Sequence, residues 1–329
     1  MASTDFFDRF PQLNIAIIGD VMIDRYLEGD VDRISPEAPV PVVHLKSEDN
    51  RLGGAANVAL NIAAMGATPL LFSVVGKDEN GELLKRLLPQ SGIANDHLLA
   101  VAQRQTTVKT RVLAQNQHLL RVDREDKNPL APKEASALLD KLNKQLNSET
   151  IHLILFQDYN KGVLTPWLID SIIGIAQEKG IPTAVDPKNK NFWAYKGVTL
   201  FKPNLREIQQ QLEEQLSPEL ASMNFAAQYI QKRLNNTYTM ITLSEKGLFL
   251  KSPDYTEIIP TQARSIADVC GAGDTVISVA ALALALGLDL TTIAHLANLA
   301  GGQVCEKVGV VPVDKDQLRV EYEHLTNQG

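Results

Sequence analysis

The chain is poor in cysteine, histidine and net positive charge, and each scarcity removes a class of function. Its two cysteines, Cys270 and Cys305, are too few and too isolated for a disulfide framework or a zinc site, and they fit a reducing compartment. The 6 histidines are scattered, with no H-E-x-x-H, and neither C-x-x-C nor G-x-S-x-G occurs, so zinc-enzyme and serine-hydrolase chemistry lose their main support. With 32 basic against 39 acidic residues the net charge is −7, which leaves no global footprint for nucleic acid or an anionic membrane. Any bound anion must therefore meet a local basic patch. The longest apolar run, after Asp274, falls short of the roughly 20 residues that span a bilayer. The opening MASTDFFDRFPQ has no basic region followed by an apolar core, as a signal peptide would. A cytoplasmic location is expected.

What is present is an ordinary globular balance: 329 residues, 44% hydrophobic and 22% charged, long enough for one large domain with an appendage or two smaller ones. Short apolar runs recur as NIAII (14–18), PLLFSVV (69–75), IHLILF (151–156), PTAV (182–185), TLFK (199–202) and YTMITL (238–243). Helical patterns lie between them. Thr165-Pro166 supplies a cap and a first-turn proline, Ile169, Ile172, Ile173 and Ala176 mark one apolar face, and Gly180 stops the helix. Ser217-Pro218-Glu219 opens another helix in the same way. Such alternation predicts a mostly parallel sheet covered on both faces, with ligands outside the carboxyl ends of its strands. Gly19-Asp20, Gly76-Lys77-Asp78, Gln157-Asp158-Tyr159, Asp186-Pro187-Lys188 and Pro203-Asn204 fall at that edge and predict one active-site rim. Residues 27–50, with three prolines, and 105–124, which alternate and then turn near Asn116, predict β-structure outside the main sheet. A small exposed sheet of that kind can act as a lid that excludes water.

The phosphate-loop pattern is absent, because Glu82 stands where Gly76 to Gly81 would need a following lysine. GAGDTV imitates part of a dinucleotide fingerprint, but it lacks the third glycine and lies too late in the chain. In DVCGAGDTVISVAALALALG (268–287), Gly271, Ala272 and Gly273 expose bare backbone at the mouth of a buried helix. That is a ready anion site, although Asp274 could equally cap the first turn. In LGGAANVALNIAAMG (52–66), small residues explain close helix packing at Ala59, Ala63 and Ala64. They explain Gly53, Gly54 and Asn57 less well; Asn57 could cap the helix locally or reach a ligand hydroxyl.

Together and in this order, these motifs resemble the ribokinase-like carbohydrate kinases, over about Asn14 to Gly309. Within them GDVMIDRY (19–26), RISPEAPVPVV (33–43), DYNKGVLT (158–165) and DVCGAGDT (268–275) resemble the D-glycero-β-D-manno-heptose-7-phosphate kinases. The resemblance implies an α/β, ribokinase-like fold: one domain over 1–329, a mostly parallel sheet with helices on both faces, and a small β-sheet lid from about 27–50 and 104–124. It implies ATP and magnesium as cofactors and a homodimer joined through the lid. Gly271, Ala272 and Gly273 would neutralise the travelling phosphoryl group and Asp274 would take the sugar's proton, staying ionised at its helix N-terminus. Asp24, with Gly53, Gly54 and Asn57, would hold sugar hydroxyls, with Asp20 at the same strand end. Asp158 and Lys161 would line the sugar side, unless Lys161 pairs with a neighbouring carboxylate. Asn204 and Glu207 match an N-x-x-E that organises magnesium through water. Ser244, Gly247 and Asn298 match nucleotide-contacting positions, and Asp268 resembles part of a monovalent-cation (K+) site.

Two departures stand out. Cys270 replaces a frequent threonine, which bears on cation dependence and redox sensitivity, and Lys202 replaces another with no evident reason. A sugar phosphate needs a second anion site, for which Lys109, Arg111, Arg121 and Arg124 are the candidates, with Arg33 from the first lid segment; Lys109 and Arg111, sharing one strand face, are expected to grip the far phosphate. No H-x-G-H nucleotide-transfer signature occurs before Gly329, so adenylyl transfer is expected on another polypeptide. Kinases of fructose- or ribose-type sugars, and a non-catalytic sugar sensor on the same fold, are the alternatives.

Overall fold

The computed structural model describes residues 4–115, 117–262 and 264–328; the turn residue Asn116 lies outside them. In chain order the elements are β1 (Asn14–Gly19), β2 (Val21–Ile34), β3 (Pro41–Gly54), α1 (Ala55–Ala64), β4 (Thr68–Gly76), α2 (Glu79–Gln90), β5 (Leu98–Val101), β6 (Thr107–Ala114), β7 (Gln117–Arg124), α3 (Pro132–Ser148), β8 (Leu153–Gln157), α4 (Pro166–Glu178), β9 (Thr183–Asp186), β10 (Leu200–Phe201), α5 (Leu205–Leu212), α6 (Leu220–Leu234), β11 (Tyr238–Thr242), β12 (Leu248–Lys251), β13 (Thr256–Ile259), α7 (Ala272–Ala285), α8 (Leu290–Cys305) and α9 (Lys315–Gln328). The main sheet runs β13-β12-β11-β10-β9-β8-β1-β4-β5. Neighbours from β11 to β5 are parallel, and β12 and β13 add an antiparallel edge. All six strands expected from the apolar runs are present. The additions β5, β12 and β13 are four residues each, too short for a periodicity to declare itself.

Period-two burial splits β1 between two cores. Ile15 and Ile17 face the α1, α7 and α8 side, whereas Ala16 and Ile18 face α3, α4 and α6. Helices therefore cover both faces. The Thr165 hydroxyl accepts the Leu168 N–H at 3.3 Å, as its cap pattern predicts. The second proline signal misleads: α6 starts at Leu220, Glu219 is its N-cap residue, and the Ser217 N–H instead donates to Ser222 Oγ at 3.2 Å. Among the described residues no helix is long and apolar enough to cross a membrane.

The lid is a four-stranded sheet ordered β3-β2-β6-β7. It reaches deeper than residues 27–50, because β2 and β3 pair from Val21↔Gly54 out to Ile34↔Pro41. Asp24 and the glycine pair thus belong to the lid's base, against the main sheet. The glycines are required by closeness. A Cβ on Gly53 would lie 2.1 Å from Asp24 Oδ2, and one on Gly54 would lie 2.4 Å from the Asp20 carbonyl oxygen. Gly54 also takes φ +60°, a left-handed value that side chains resist.

Gly54→Ala should lower the unfolding free energy by about 3 kcal/mol, combining backbone strain with a collision in packed surroundings. Gly92→Ala, also at positive φ but with nothing within 4 Å of the added methyl, should cost only about 1 kcal/mol. Urea unfolding of both variants checks this; equal losses would contradict the steric account.

Candidate active site

Because β1, β4, β8, β9 and β10 run parallel, their polar carboxyl ends share one edge, and the five expected rim segments meet there. The edge is organised around Asp274, in the first turn of α7 and only 4% exposed. Its Oδ2 accepts Asn57 Nδ2 at 2.8 Å. Its Oδ1 accepts the Tyr159 hydroxyl at 2.6 Å and Gln157 Nε2 at 3.0 Å. Asn57 is fully buried and its hydrogen bond to Asp274 couples the early glycine motif to the late one. Asn61 holds it in turn, donating to the Asn57 carbonyl at 2.9 Å while accepting the Thr275 hydroxyl at 3.1 Å.

Gly271 begins the helix at φ +81°, and the N–H groups of the first turn have no carbonyl within the helix to meet. Residues 271–273 are half-buried, whereas the helix behind them is buried. Burial raises the Asp274 carboxyl to about 6; the Tyr159 and Asn57 hydrogen bonds and Lys188 oppose the rise, and Asp186 adds to it. The helix terminus therefore does not keep the group in the ordinary carboxylate range, because desolvation outweighs it. At neutral pH the ionised form still predominates.

Two lysines stand beside this carboxylate. Lys188 pairs with Glu207 and lies 3.9 Å from Asp186 Oδ1. Burial alone would lower its pKa, but those two carboxylates hold the ammonium above its usual range. Lys202, 2% exposed, places Nζ 3.2 Å from Asp186 Oδ2. The N-x-x-E pair is a capping box: the Glu207 N–H donates to Asn204 Oδ1 at 2.8 Å and the Asn204 N–H to Glu207 Oε2 at 2.9 Å. Asn204 thereby positions Glu207, and Glu207 and Asp186 share one cation. That donor set, two buried and already hydrogen-bonded carboxylates, suits a magnesium ion that keeps its own waters.

On the lid side Asp24 is buried and paired with Arg111, whose guanidinium also lies 5.2 Å from the Tyr26 ring centre. Lys109 sits 3.3 Å from Asp123 Oδ2, which Arg121 also engages. Arg33 lies nine residues beyond Asp24 on an extended strand, about 30 Å away, and so cannot serve the same pocket. Two carboxylates expected to touch sugar are engaged inside the protein instead. Asp20 accepts the N–H groups of Tyr159, Lys161 and Val163 at 2.8, 3.0 and 3.1 Å, folding the loop after β8; burial raises its pKa against those bonds. Asp158, raised to about 6 by burial and by Asp20, accepts Asn191 Nδ2 at 3.0 Å and the Tyr195 hydroxyl at 2.7 Å. Lys161 pairs with Glu125, the plainer of its two readings.

Ser244 and Gly247 form the tight turn between β11 and β12, at φ 55° and 95°. Asn298 Nδ2 donates to the Pro260 carbonyl at 2.8 Å, so α8 anchors the stretch that follows β13. Asp268 accepts the Cys270 and Gly309 N–H groups, each at 3.0 Å. Burial works against its ionisation but these bonds hold its pKa down. Each of its oxygens accepts one backbone N–H, which fixes the carboxylate beside the glycine turn. Burial and Asp268 push the Cys270 thiol up to about 11, which removes the thiolate that redox chemistry needs. Gln157, Tyr159, Asp186 and Lys188 were legible only as rim residues by their strand-end position, and Lys202 only as a departure with no evident reason.

Residues 12–316 match the pfkB family carbohydrate kinase. The chain is 40% identical over 320 residues to the bifunctional protein HldE of Citrifermentans bemidjiense, covering 97% of this chain and 65% of that protein. It is 41% identical over 307 residues to the bifunctional protein HldE of Methylobacillus flagellatus, covering 93% and 62%. The chain thus spans less than two thirds of the length of these relatives. Among solved structures, phosphofructokinase-2 from Escherichia coli in complex with potassium superposes with a TM-score of 0.79 at 19% identity, covering 95% of this chain and 99% of that one. Arabidopsis thaliana ribokinase complexed with ribose and ATP gives 0.70 at 16% identity, covering 93% and 98%. The fold is ribokinase-like.

Carboxyl-detected NMR titration of the full chain should place the Asp274 midpoint near pH 6, as burial dictates. Tyr159→Phe removes a donor to the ionised form, so the midpoint should move up. Because the native pKa exceeds 3.8, this group's contribution to stability is fully present below that pH and is lost as pH rises through about 6. A midpoint below 5, or a downward shift in Tyr159→Phe, would contradict the assignment of causes.

Proposed function

The chain belongs to the pfkB family of carbohydrate kinases, and on that premise we propose that it transfers the terminal phosphoryl group of ATP to the anomeric hydroxyl of D-glycero-β-D-manno-heptose 7-phosphate, yielding the 1,7-bisphosphate and ADP. The observation that carries the reading is Asp274: a buried carboxylate directly after the glycine turn, aimed by three donors and ionised at neutral pH. The hydroxyl O–H bond breaks as its proton passes to Asp274. The oxygen forms a bond to phosphorus while the bond from phosphorus to the departing ADP oxygen breaks. Phosphoryl transfer is mostly positioning and charge stabilisation, and N–H groups already directed from residues 271–273 need no reorganisation as charge develops. Magnesium, held through water by Asp186 and Glu207 when bound, would neutralise phosphate charge. The nucleotide would extend towards Ser244, Gly247 and Asn298, and the sugar towards Asp24, Gly53 and Gly54.

The similarity to the heptose kinases and the basic base of the lid both favour a phosphorylated sugar. Lys109 would meet the far phosphate, and Arg111 would act there and through Asp24. Two copies would join through the lid, whose Ile34, Val40, Leu45, Leu120 and Val122 are exposed apolar side chains on an otherwise acidic protein. Sedimentation should show a dimer that Leu120→Glu with Val122→Glu dissociates; an unchanged dimer would place the interface elsewhere. The reaction and its substrates belong to the cytoplasm.

Coupled ATP turnover should be at least about 100-fold faster with heptose 7-phosphate than with the unphosphorylated heptose or ribose, since a lost charged contact costs about 3 kcal/mol. It should also exceed turnover with fructose 6-phosphate, which keeps the phosphate on a different sugar. Comparable rates with another sugar would reassign the substrate, and no magnesium-dependent turnover with any of them would favour a binding protein. Asp274→Asn should lower kcat by about 1,000-fold or more with little change in sugar affinity. Activity near wild type would remove the proposed base.

Lys109→Met should raise KM for the sugar phosphate about tenfold and leave KM for ATP unchanged. Equal effects on both constants would defeat the far-phosphate assignment.

A further inference from the structure

Resting on the phosphoryl-transfer reading, we propose that Lys202 is a catalytic residue: its ammonium, stored on Asp186, contacts the migrating phosphoryl group across the open face of Gly273. β10 is only two residues long and lies inside the sheet between β9 and β11, so the residue that follows it is buried. A lysine there is costly unless paired, and a structural need for bulk would be met by an apolar side chain. Lys202 pairs with Asp186 Oδ2, 3.2 Å away, the same oxygen that lies 3.4 Å from Gln157 Nε2 of the Asp274 cluster.

The geometry puts this charge at the turn. A methyl group built on Gly273 would meet only Asp186 Oδ2 at 3.8 Å and Lys202 Nζ at 3.9 Å, so that space is unfilled and its walls are the ion pair itself. Electrostatics supplies the need. Asp186, Glu207 and Asp274 crowd the edge where a multiply charged anion must arrive, against a helix terminus equivalent to about half a positive charge. Lys188 is committed to Glu207 and Asp186, and its ammonium lies 5.6 Å from the Tyr159 ring centre. Among the described residues Lys202 pairs with one carboxylate, and its ammonium has three N–H donors, so it can keep Asp186 while donating to a phosphoryl oxygen.

The test separates binding from chemistry. Lys202→Met leaves Asp186 unpaired, and Asp186 would also hold magnesium, so Asp186→Asn/Lys202→Met is compared with Asp186→Asn alone, with Lys202→Arg as the charge-retaining variant. Calorimetry without sugar should show AMP affinity in the double variant within about twofold of Asp186→Asn, while ATP affinity falls about tenfold below it. kcat should fall about 100-fold or more below that of Asp186→Asn, and Lys202→Arg should retain part of the wild-type ATP affinity and kcat. Equal weakening of AMP and ATP, or unchanged ATP affinity and kcat, would overturn the proposal and leave Lys202 a structural partner of Asp186. If wild type turns over no sugar, the parent reading fails alone, because the ATP-to-AMP affinity ratio still decides whether Lys202 meets phosphate. If wild type is active and that ratio does not change, only the Lys202 assignment fails.

Discussion

A carboxylate held ionised out of water is the constraint on which the rest of this structure depends. Left unpaired, such a group is either protonated or destabilises the fold by several kcal/mol. Asp274 is kept usable by donors from three places: Asn57 on α1, Gln157 at the end of β8, and Tyr159 in the loop beyond it. Each donor is fixed by something else. Small residues let α1 and α7 pack closely, with Ala55, Ala56, Ala59, Ala280 and Ala281 all buried, and Asn61 ties Asn57 to Thr275 across the crossing. Asp20 folds the loop that carries Tyr159. The sheet edge and the helix pair are thus one device for pointing an oxygen.

Around that oxygen the protein works by pairing. Arg111 with Asp24, Lys161 with Glu125, Lys188 with Glu207 and Lys202 with Asp186 place cations beside carboxylates over the whole edge. Removing one member of a buried pair costs about 3–5 kcal/mol, so these charges specify positions rather than add stability. The lid joins the same network. Arg51 donates to the Val308 and Val310 carbonyls at 3.2 and 3.3 Å, the Val310 N–H donates to the Tyr26 hydroxyl at 3.4 Å, and the Gly309 N–H donates to Asp268. The base of the lid is therefore tied by hydrogen bonds to the segment that braces the glycine turn.

Much of the architecture was legible before any coordinate. The six main strands, the rim at their carboxyl ends, the cap at Thr165 and the separate lid all follow from local periodicity and turn chemistry. The short strands β5, β12 and β13 and the true start of α6 were not, because four residues carry no period and a proline signal can precede a helix without opening it. At the site, the glycine pair, Asp274 and the N-x-x-E were readable as motifs. Their partners were not: Asn57 and Asp274 are 217 positions apart and meet only because α1 and α7 pack.

The sequence by itself determined which chemistry was available: bare backbone before an acid, scattered cations, and no zinc-enzyme or serine-hydrolase motif. Tertiary structure alone decided how that chemistry is deployed. Burial, not the helix terminus, sets the ionisation of Asp274, and long-range contacts give Asp20, Asp158 and Asn57 hydrogen-bond partners inside the protein. The physical reason is that motifs and periodicity are local properties of the chain. Desolvation and ion pairing depend on what folding brings within about 4 Å.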